Sequence, residues 1–457
     1  MFEYMTIREL YELTLNSDEL EKDNLDYIEL QGWVKTNRNN GSIGFIEFSD
    51  GTYFKSAQLV YDKENDNFVD YCKYGIGDAL TVMGKLVLTP SNKQPFEIHI
   101  REVVLEAKCH EDYPLQKKRH SFEFLREIAH VRSRANTFNA VFRVRSALVM
   151  AIHEFFQTQG FVCVSTPVIS SFKDKNNFSI SNNQAKEVFG ESAYLSNSSK
   201  MNNEAFVLSF RDVYSYGPSF DCKNINSNLF VNESWKVGAE IAFADLEDDV
   251  LLIEDLLRFC VNYVLENCPE ELEFFNNMIN KGLLEKLNNV VNKGFSQMNY
   301  KEAVCKLMEA VKKGYEFEDD DIYWGMEFKY EHVCYLSEKV SETPLFIVDS
   351  PKDIKDFSSR LNDDEKTVSS CDLLVPFVGI LASGAQREER YSFLTKRVED
   401  LNLDRDKMEW YLDLRKFGCC KHAGFELDFD KLVMYVTGIE NIKDVIPFSR
   451  TVNNLLF

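Results

Sequence analysis

No stretch of this chain is an unbroken apolar run of the roughly 18 residues that a membrane-spanning helix needs. The opening residues, MFEYMTIREL, also lack the basic-then-apolar order of a secretory leader. Eleven cysteines occur without a single Cys-x-x-Cys, and the adjacent pair Cys419–Cys420 is poorly placed for a disulfide. A disulfide framework is therefore not expected, and a reducing cytoplasmic setting is. Basic residues are scarce: 52 Lys and Arg stand against 74 Asp and Glu, a net charge of −22. That argues against broad, non-specific nucleic-acid binding and leaves a local basic patch as the only route to it. No internal repeat is visible. What is present is 44% hydrophobic and 13% aromatic residues over 457 positions, enough for two or three folded domains.

Beyond an N-terminal segment (1–24), residues 25–107 alternate with period two in short runs such as YIELQGWVKT, DALTVMGKLVLT and PFEIHIREVVLE. The turns NRNNGS, SDGT and TPSNKQ separate them, a spacing that predicts a small closed β-barrel. A polar hinge (108–132) follows and carries Lys117, Lys118, Arg119 and His120. From Ala135 to Gly160 the apolar spacing is helical. The Asn/Ser-rich stretch SSFKDKNNFSISNNQAKE predicts a loop. The remainder of 133–457 alternates strands and helices. The expected fold is α+β: a barrel, a hinge, and a larger domain built on an antiparallel sheet flanked by helices.

Near the C-terminus, AGFELDFDKLVMYVTG places Phe425, Leu427 and Phe429 on one face of a strand and Glu426, Asp428 and Asp430 on the other. Three carboxylates in a row need cations or water. On residues alone the stretch reads as a solvent-facing sheet edge. Asp221, Glu426 and Asp428, with Cys222, could alternatively form a metal or acid–base site. Cys222, Cys419, Cys420 and His422 could also be brought together by the fold, but core thiols are the plainer reading, and no metal is expected.

Longer motifs carry a resemblance. RVRSALVMAIHEFFQTQGFVCVSTPVIS (Arg143 to Ser170) resembles the first signature of class II aminoacyl-tRNA synthetases. KRHSFEFLREIAHVRSRAN, YWGMEFKYEH, PKDIKDFSSRLN, GAQREER and VTGIENIKDVIPF resemble asparaginyl-tRNA synthetases over essentially the whole chain. The resemblance implies an OB-fold anticodon-binding barrel, a class II catalytic domain, and a homodimer built around the segment ending in Pro167. It also implies activation of asparagine by ATP with magnesium, then transfer to tRNA. Glu204 and Arg387 match the asparagine pocket, although Lys200 replaces a pocket glutamine. Arg38, Phe45 and Gln58 match positions that meet anticodon bases by stacking and hydrogen bonding.

Other matched positions depart from the family. Asp221 stands where a phosphate-binding arginine is expected and Lys223 where a glutamate is. Leu229 and Phe230 replace an arginine–histidine pair. Ile380 replaces a magnesium-binding glutamate, while the upstream acid, Asp372, is kept. Glu426 and Asp428 replace glycines, and Asp430–Lys431 replaces a glutamate–arginine pair. Exchanging a cation for an anion at ~4 Å from a phosphate reverses an interaction of roughly 1 kcal/mol in water and about 4 at an effective dielectric near 20. On that count the expectation is a synthetase-like protein that has lost ATP-dependent asparagine activation, needs no cofactor, and binds tRNA, another protein or a small ligand. One alternative is an enzyme with altered chemistry in the old site, acting on aminoacyl-tRNA or another acyl donor. The other is an active asparagine–tRNA ligase, for which ATP and magnesium would be required.

Overall fold

The computed structural model describes residues 3–15, 28–89, 94–173, 176–180 and 182–457. The expected turn through 90–93, most of the N-terminal segment, and positions 174, 175 and 181 of the polar stretch lie outside them. The chain divides into two compact units, residues 1–139 and 140–457.

In the first unit a short strand β1 (Glu3–Tyr4) pairs with β2 (Ile28–Asn39), which is followed by β3 (Ile43–Ser49), β4 (Ala57–Asp62), β5 (Ala79–Leu88) and β6 (Phe96–Ala107). Their order is β1-β2-β3-β4-β6-β5, and pairing of β2 with β5 closes the barrel. The period-two pattern accounts for this directly. Ile28, Leu30 and Val34 of β2 are buried, as are Ile46 and Phe48 of β3 and Leu80 and Val82 of β5, while Gln31, Trp33 and Glu47 between them are exposed. Each such side chain contributes roughly 1.5–3 kcal/mol on burial.

The second unit is organised on an eight-stranded sheet. Two short strands, β7 (Val162–Cys163) and β8 (Ile169–Ser170), precede β9 (Tyr194–Leu195), β10 (Asp212–Phe220), β11 (Glu233–Ala242) and β12 (Ser296–Asn299). Then come β13 (Leu345–Val348), β14 (Ser370–Val375), β15 (Gly379–Gln386) and β16 (His422–Asp428). The sheet order is β12-β13-β14-β15-β16-β11-β10-β7, antiparallel throughout except at its two outermost pairings. The helix Asn136–Thr158 buries Val141, Val144, Leu148, Ile152 and Phe156, at helical spacing. It ends just before Gly160, whose φ of +84° only glycine adopts freely. Among the described residues no helix is long and apolar enough to cross a membrane.

Two expectations are corrected here. The polar stretch after residue 170 is not simply a loop: it contains the helix Asn182–Phe189 and joins the small β8–β9 sheet through a bridge from Ser179 to Tyr194. And the three carboxylates do not share one strand face. β16 stops at Asp428, which caps the helix Phe429–Thr437 by accepting from the Lys431 amide at 3.1 Å. Asp430 therefore belongs to the helix and turns inward, with no exposure.

Candidate functional site

The centre of the sheet supplies one continuous face. Opposite residues in register share it: Lys236, Gly238 and Glu240 of β11 lie across from Asp428, Glu426 and Gly424 of β16. Ser383 of β15 lies across from Glu426, and Asp372 of β14 from Ser383. Glycine at 424 is required by packing, since a Cβ there would come within 2.3 Å of the Glu240 carboxylate and of the Ala239 carbonyl.

At one end of this face is a buried charge network. Arg387, which follows β15, holds Glu240 with two nitrogens at 3.1 and 2.5 Å and donates to the Gly424 carbonyl at 2.8 Å. Glu204 rises from the helix Lys200–Phe210 and is completely buried. It accepts from Arg415 at 2.6 Å and from the Tyr411 hydroxyl at 2.5 Å, both on the helix Arg405–Lys416. His422 Nε2 lies 3.1 Å from the same carboxylate, and His422 Nδ1 faces the Cys420 carbonyl at 2.9 Å. Both ring nitrogens thus face groups that can only accept, so the imidazole carries both protons. Although burial pulls its pKa down, contacts with Cys419 and Glu204 push it up to about 10. Glu204 and Arg387 approach to 4.0 Å, but each has a closer partner. Three cations face two carboxylates in a water-excluded cluster whose polar groups hold one another in place.

Glu240, Tyr411 and Arg415 were not among the sequence candidates. Glu240 is one acid in the apolar strand AEIAF, and Tyr411 and Arg415 are spaced four apart on an ordinary amphipathic helix. That i,i+4 spacing was the available signal.

The positions that depart from the resembled family are each occupied by a local partner. Asp221 pairs with Lys223 at 2.6 Å, and the Lys223 ammonium also sits 5.6 Å from the centre of the Phe230 ring. The Leu229 amide is taken by Ser227. Glu426 accepts from the Ser198 hydroxyl at 2.8 Å and the Ser199 amide at 3.0 Å, with Lys236 at 3.7 Å. Asp430 pairs with Arg145 at 2.5 Å and accepts from the Trp235 amide at 2.9 Å. Lys431 donates to the carbonyl of Ile380 at 2.9 Å. The acids are therefore not a bare anionic wall, and Asp221, Glu426 and Asp428 do not converge on a shared centre.

A resident magnesium site does not fit these residues. Ile380 offers no side-chain oxygen, and Asp372 is engaged by Lys355 at 2.5 Å and by the Ser383 hydroxyl at 2.7 Å. Among the described residues no group of three or more His, Cys, Asp or Glu could hold a metal ion, and all eleven cysteines are free.

In the barrel, Arg38 and Phe45 are cross-strand partners, with the guanidinium 5.5 Å from the ring centre. Gln58, on the neighbouring strand, donates to Glu97 at 2.7 Å. Arg38 is exposed, Phe45 and Gln58 are half-buried, and Phe45 is thus not barrel core. Lys117, Lys118 and Arg119 are exposed; Pro167 is exposed as well.

A closed barrel of five strands, with β1 added beside β2, ahead of an antiparallel sheet that carries a buried Arg/Glu network defines a class II aminoacyl-tRNA synthetase with an N-terminal OB-fold. Residues 122–452 match the family of tRNA synthetases class II (D, K and N), and residues 28–106 match the OB-fold nucleic acid binding domain. An asparagine–tRNA ligase of Clostridium beijerinckii is 46% identical over 99% of both chains, and one of Acetivibrio thermocellus is 46% identical over 94% of this chain and 96% of its own. The crystal structure of asparaginyl-tRNA synthetase from Pyrococcus horikoshii complexed with asparaginyl-adenylate superposes with a TM-score of 0.87 at 26% identity, covering all of both chains. The chain belongs to the asparaginyl-tRNA synthetase family.

These relatives overturn the expectation that asparagine activation has been lost. Identity of 46% across 99% of both chains favours the active-ligase alternative. The physical error lay in treating each substituted acid as an unopposed charge. Lys223, Lys236 and Arg145 oppose them, so the sign of the local field cannot be read from the acids one at a time.

Proposed function

We propose that this chain is an asparagine–tRNA ligase and a divergent member of its family at the nucleotide-facing positions. An oxygen of the asparagine carboxylate attacks the α-phosphorus of ATP, the α–β bridge breaks, and pyrophosphate leaves. A ribose hydroxyl at the tRNA end then attacks the acyl carbon and AMP leaves. Arg387, Glu204 and Glu240 hold the side-chain amide, and thereby orient the carboxylate for attack. Residues 25–107 act as the anticodon-binding domain, 108–132 as a hinge that touches the tRNA, and 133–457 as the catalytic domain. The protein works in the cytoplasm as a homodimer. Support for the dimer comes from Met150, Val162 and Ile169, apolar side chains left exposed around the Pro167 segment.

The observation that carries this reading is full-length identity to asparagine–tRNA ligases. Asparagine-dependent ATP–pyrophosphate exchange tests it: exchange with asparagine and none with aspartate is expected, and absence of exchange at saturating asparagine and ATP would sink it. In the barrel, Phe45→Ala is expected to weaken tRNA binding about tenfold, the loss of one base stack at roughly 1–3 kcal/mol. Filter binding at fixed salt measures this, and unchanged affinity would remove Phe45 from the tRNA surface.

A further inference from the structure

Beyond the amide pocket, the same sheet face carries a second feature. Segments 164–168 and 196–199 close over β10 and β11 to form a cavity floored by Lys236 and Glu426. These two are its only charged lining residues among those described; six of the other fourteen are serines, and Thr166, Asn197 and Tyr216 add further polar groups to a lining completed by Val164, Val168, two prolines and Gly217. The Lys236 ammonium and the Glu426 carboxylate are 3.7 Å apart, beyond hydrogen-bond length, and 31% and 10% exposed. Each is anchored from behind. Lys236 spends one of its three N–H donors on the Asn197 carbonyl at 2.9 Å. Glu426 receives Ser198 and Ser199 on Oε1, which leaves Oε2 facing Lys236 without a hydrogen bond from any described residue. Gly217, directly across from Lys236 on β10, has open space where a Cβ would stand.

We propose that Lys236 and Glu426 form the receptor for the zwitterionic head of the amino acid, Lys236 taking the α-carboxylate and Glu426 the α-ammonium. The inference rests on asparagine being the substrate. A donor beside an acceptor, both held in place, Glu426 largely shielded from water and Lys236 partly so, complements a ligand carrying the two opposite charges on one carbon. Placement agrees with this. Lys236 and Glu240 sit four residues apart on one face of β11, and Gly424 and Glu426 two apart on β16, so head and amide pockets lie along the same strands, roughly 7–13 Å apart at ~3.3 Å per residue. The arrangement also restores a cation for the carboxylate that undergoes activation, from β11 rather than from Asp221, which lies just past the end of β10. Burial would raise the Glu426 carboxyl, but Lys236, then Lys200 and the serine contacts, bring it below its ordinary value.

Calorimetric binding of three small molecules tests the assignment: asparagine, asparaginol (which lacks the carboxylate) and succinamate (which lacks the ammonium). The wild-type protein is expected to favour asparagine over each analogue by about tenfold or more, the scale of a charge-assisted hydrogen bond. Lys236→Met removes the preference over asparaginol, Lys236→Arg restores most of it, and Glu426→Gln removes the preference over succinamate. Thermal melts identify any variant that fails to fold, and the Lys236→Arg comparison with asparaginol then carries the test. Discrimination that survives in Lys236→Met, or a wild-type protein that does not bind asparagine, overturns the proposal. Pyrophosphate exchange on the same wild-type sample separates the two readings. Binding that depends on Lys236 without exchange sinks the ligase and leaves the receptor; exchange with discrimination independent of Lys236 does the reverse.

Discussion

Glu204→Gln is expected to destabilise the protein by about 3–5 kcal/mol, because it leaves Arg415 and His422 buried without their carboxylate. Glutamine keeps the volume, so the loss cannot come from a cavity. The pH profile isolates the charge. Burial would raise the Glu204 carboxyl, but Arg415, then His422 and Arg387, hold it well below the usual carboxylate range. A depressed acid contributes stability that is present above its unfolded value of 4.5 and lost as pH falls through the folded one. His422 has the opposite sign. Raised from 6.5 to about 10, it contributes fully below 6.5 and loses that contribution as pH rises through about 10. Stability of the wild-type protein is thus expected to fall in acid and in alkali. The variant lacks a carboxylate to protonate, so its acid limb flattens, and His422, deprived of its partner, moves its loss toward neutral pH. Urea midpoints measured from about pH 3 to about pH 10 check this, and two curves of the same shape would show that the network is not an ionic one. Asparagine-dependent exchange should be lost in the same variant at any pH where it remains folded, since Arg387 and Arg415 would then draw toward the single remaining carboxylate, Glu240.

The elements most legible in the sequence were those whose signal is local. Period-two alternation in YIELQGWVKT and DALTVMGKLVLT located barrel strands because one face of each packs inward. The long helix ended where Gly160 supplies a positive φ. Glu204 and Arg387 were named through the resemblance of their surrounding motifs, and in the structure they lie 4.0 Å apart in one buried charge network. What could not be read was partnership across the chain. Arg145 and Asp430 are 285 residues apart, and Ser198 and Glu426 are 228 apart. Charge alternation in FELDFD gave no sign that Asp428 would end the strand by capping a helix, because a cap is decided by where the next apolar side chains pack. The reading of a lost activity failed at the same point. It compared single residues with single residues, whereas the field at a site is the sum over groups that the fold gathers from distant segments.

Asp430 offers the other large effect. Asp430→Ala is expected to cost about 3–5 kcal/mol, since Arg145 is 11% exposed and its ion pair with Asp430 would be lost. Among the described residues Arg145 would retain the Val445 carbonyl at 3.1 Å and its position 4.7 Å from the centre of the Phe429 ring. The Trp235 amide would lose its acceptor too, a further ~1–3 kcal/mol if water cannot reach it. Replacing both partners by apolar residues, Arg145→Met with Asp430→Leu, should be milder than Asp430→Ala alone, because no charge is left stranded. Urea unfolding of the two variants decides: an alanine variant within about 0.5 kcal/mol of wild type would mean that the pair is solvated in solution. The consequence reaches the floor of the site through one residue. Trp235, stacked on Tyr216 with ring centres 5.0 Å apart, immediately precedes Lys236, and Asp430 fixes its backbone. Loosening that anchor should weaken asparagine binding as Lys236→Met does while leaving tRNA binding by the barrel unchanged, and a variant that binds both normally would break the link from the helix to the head pocket.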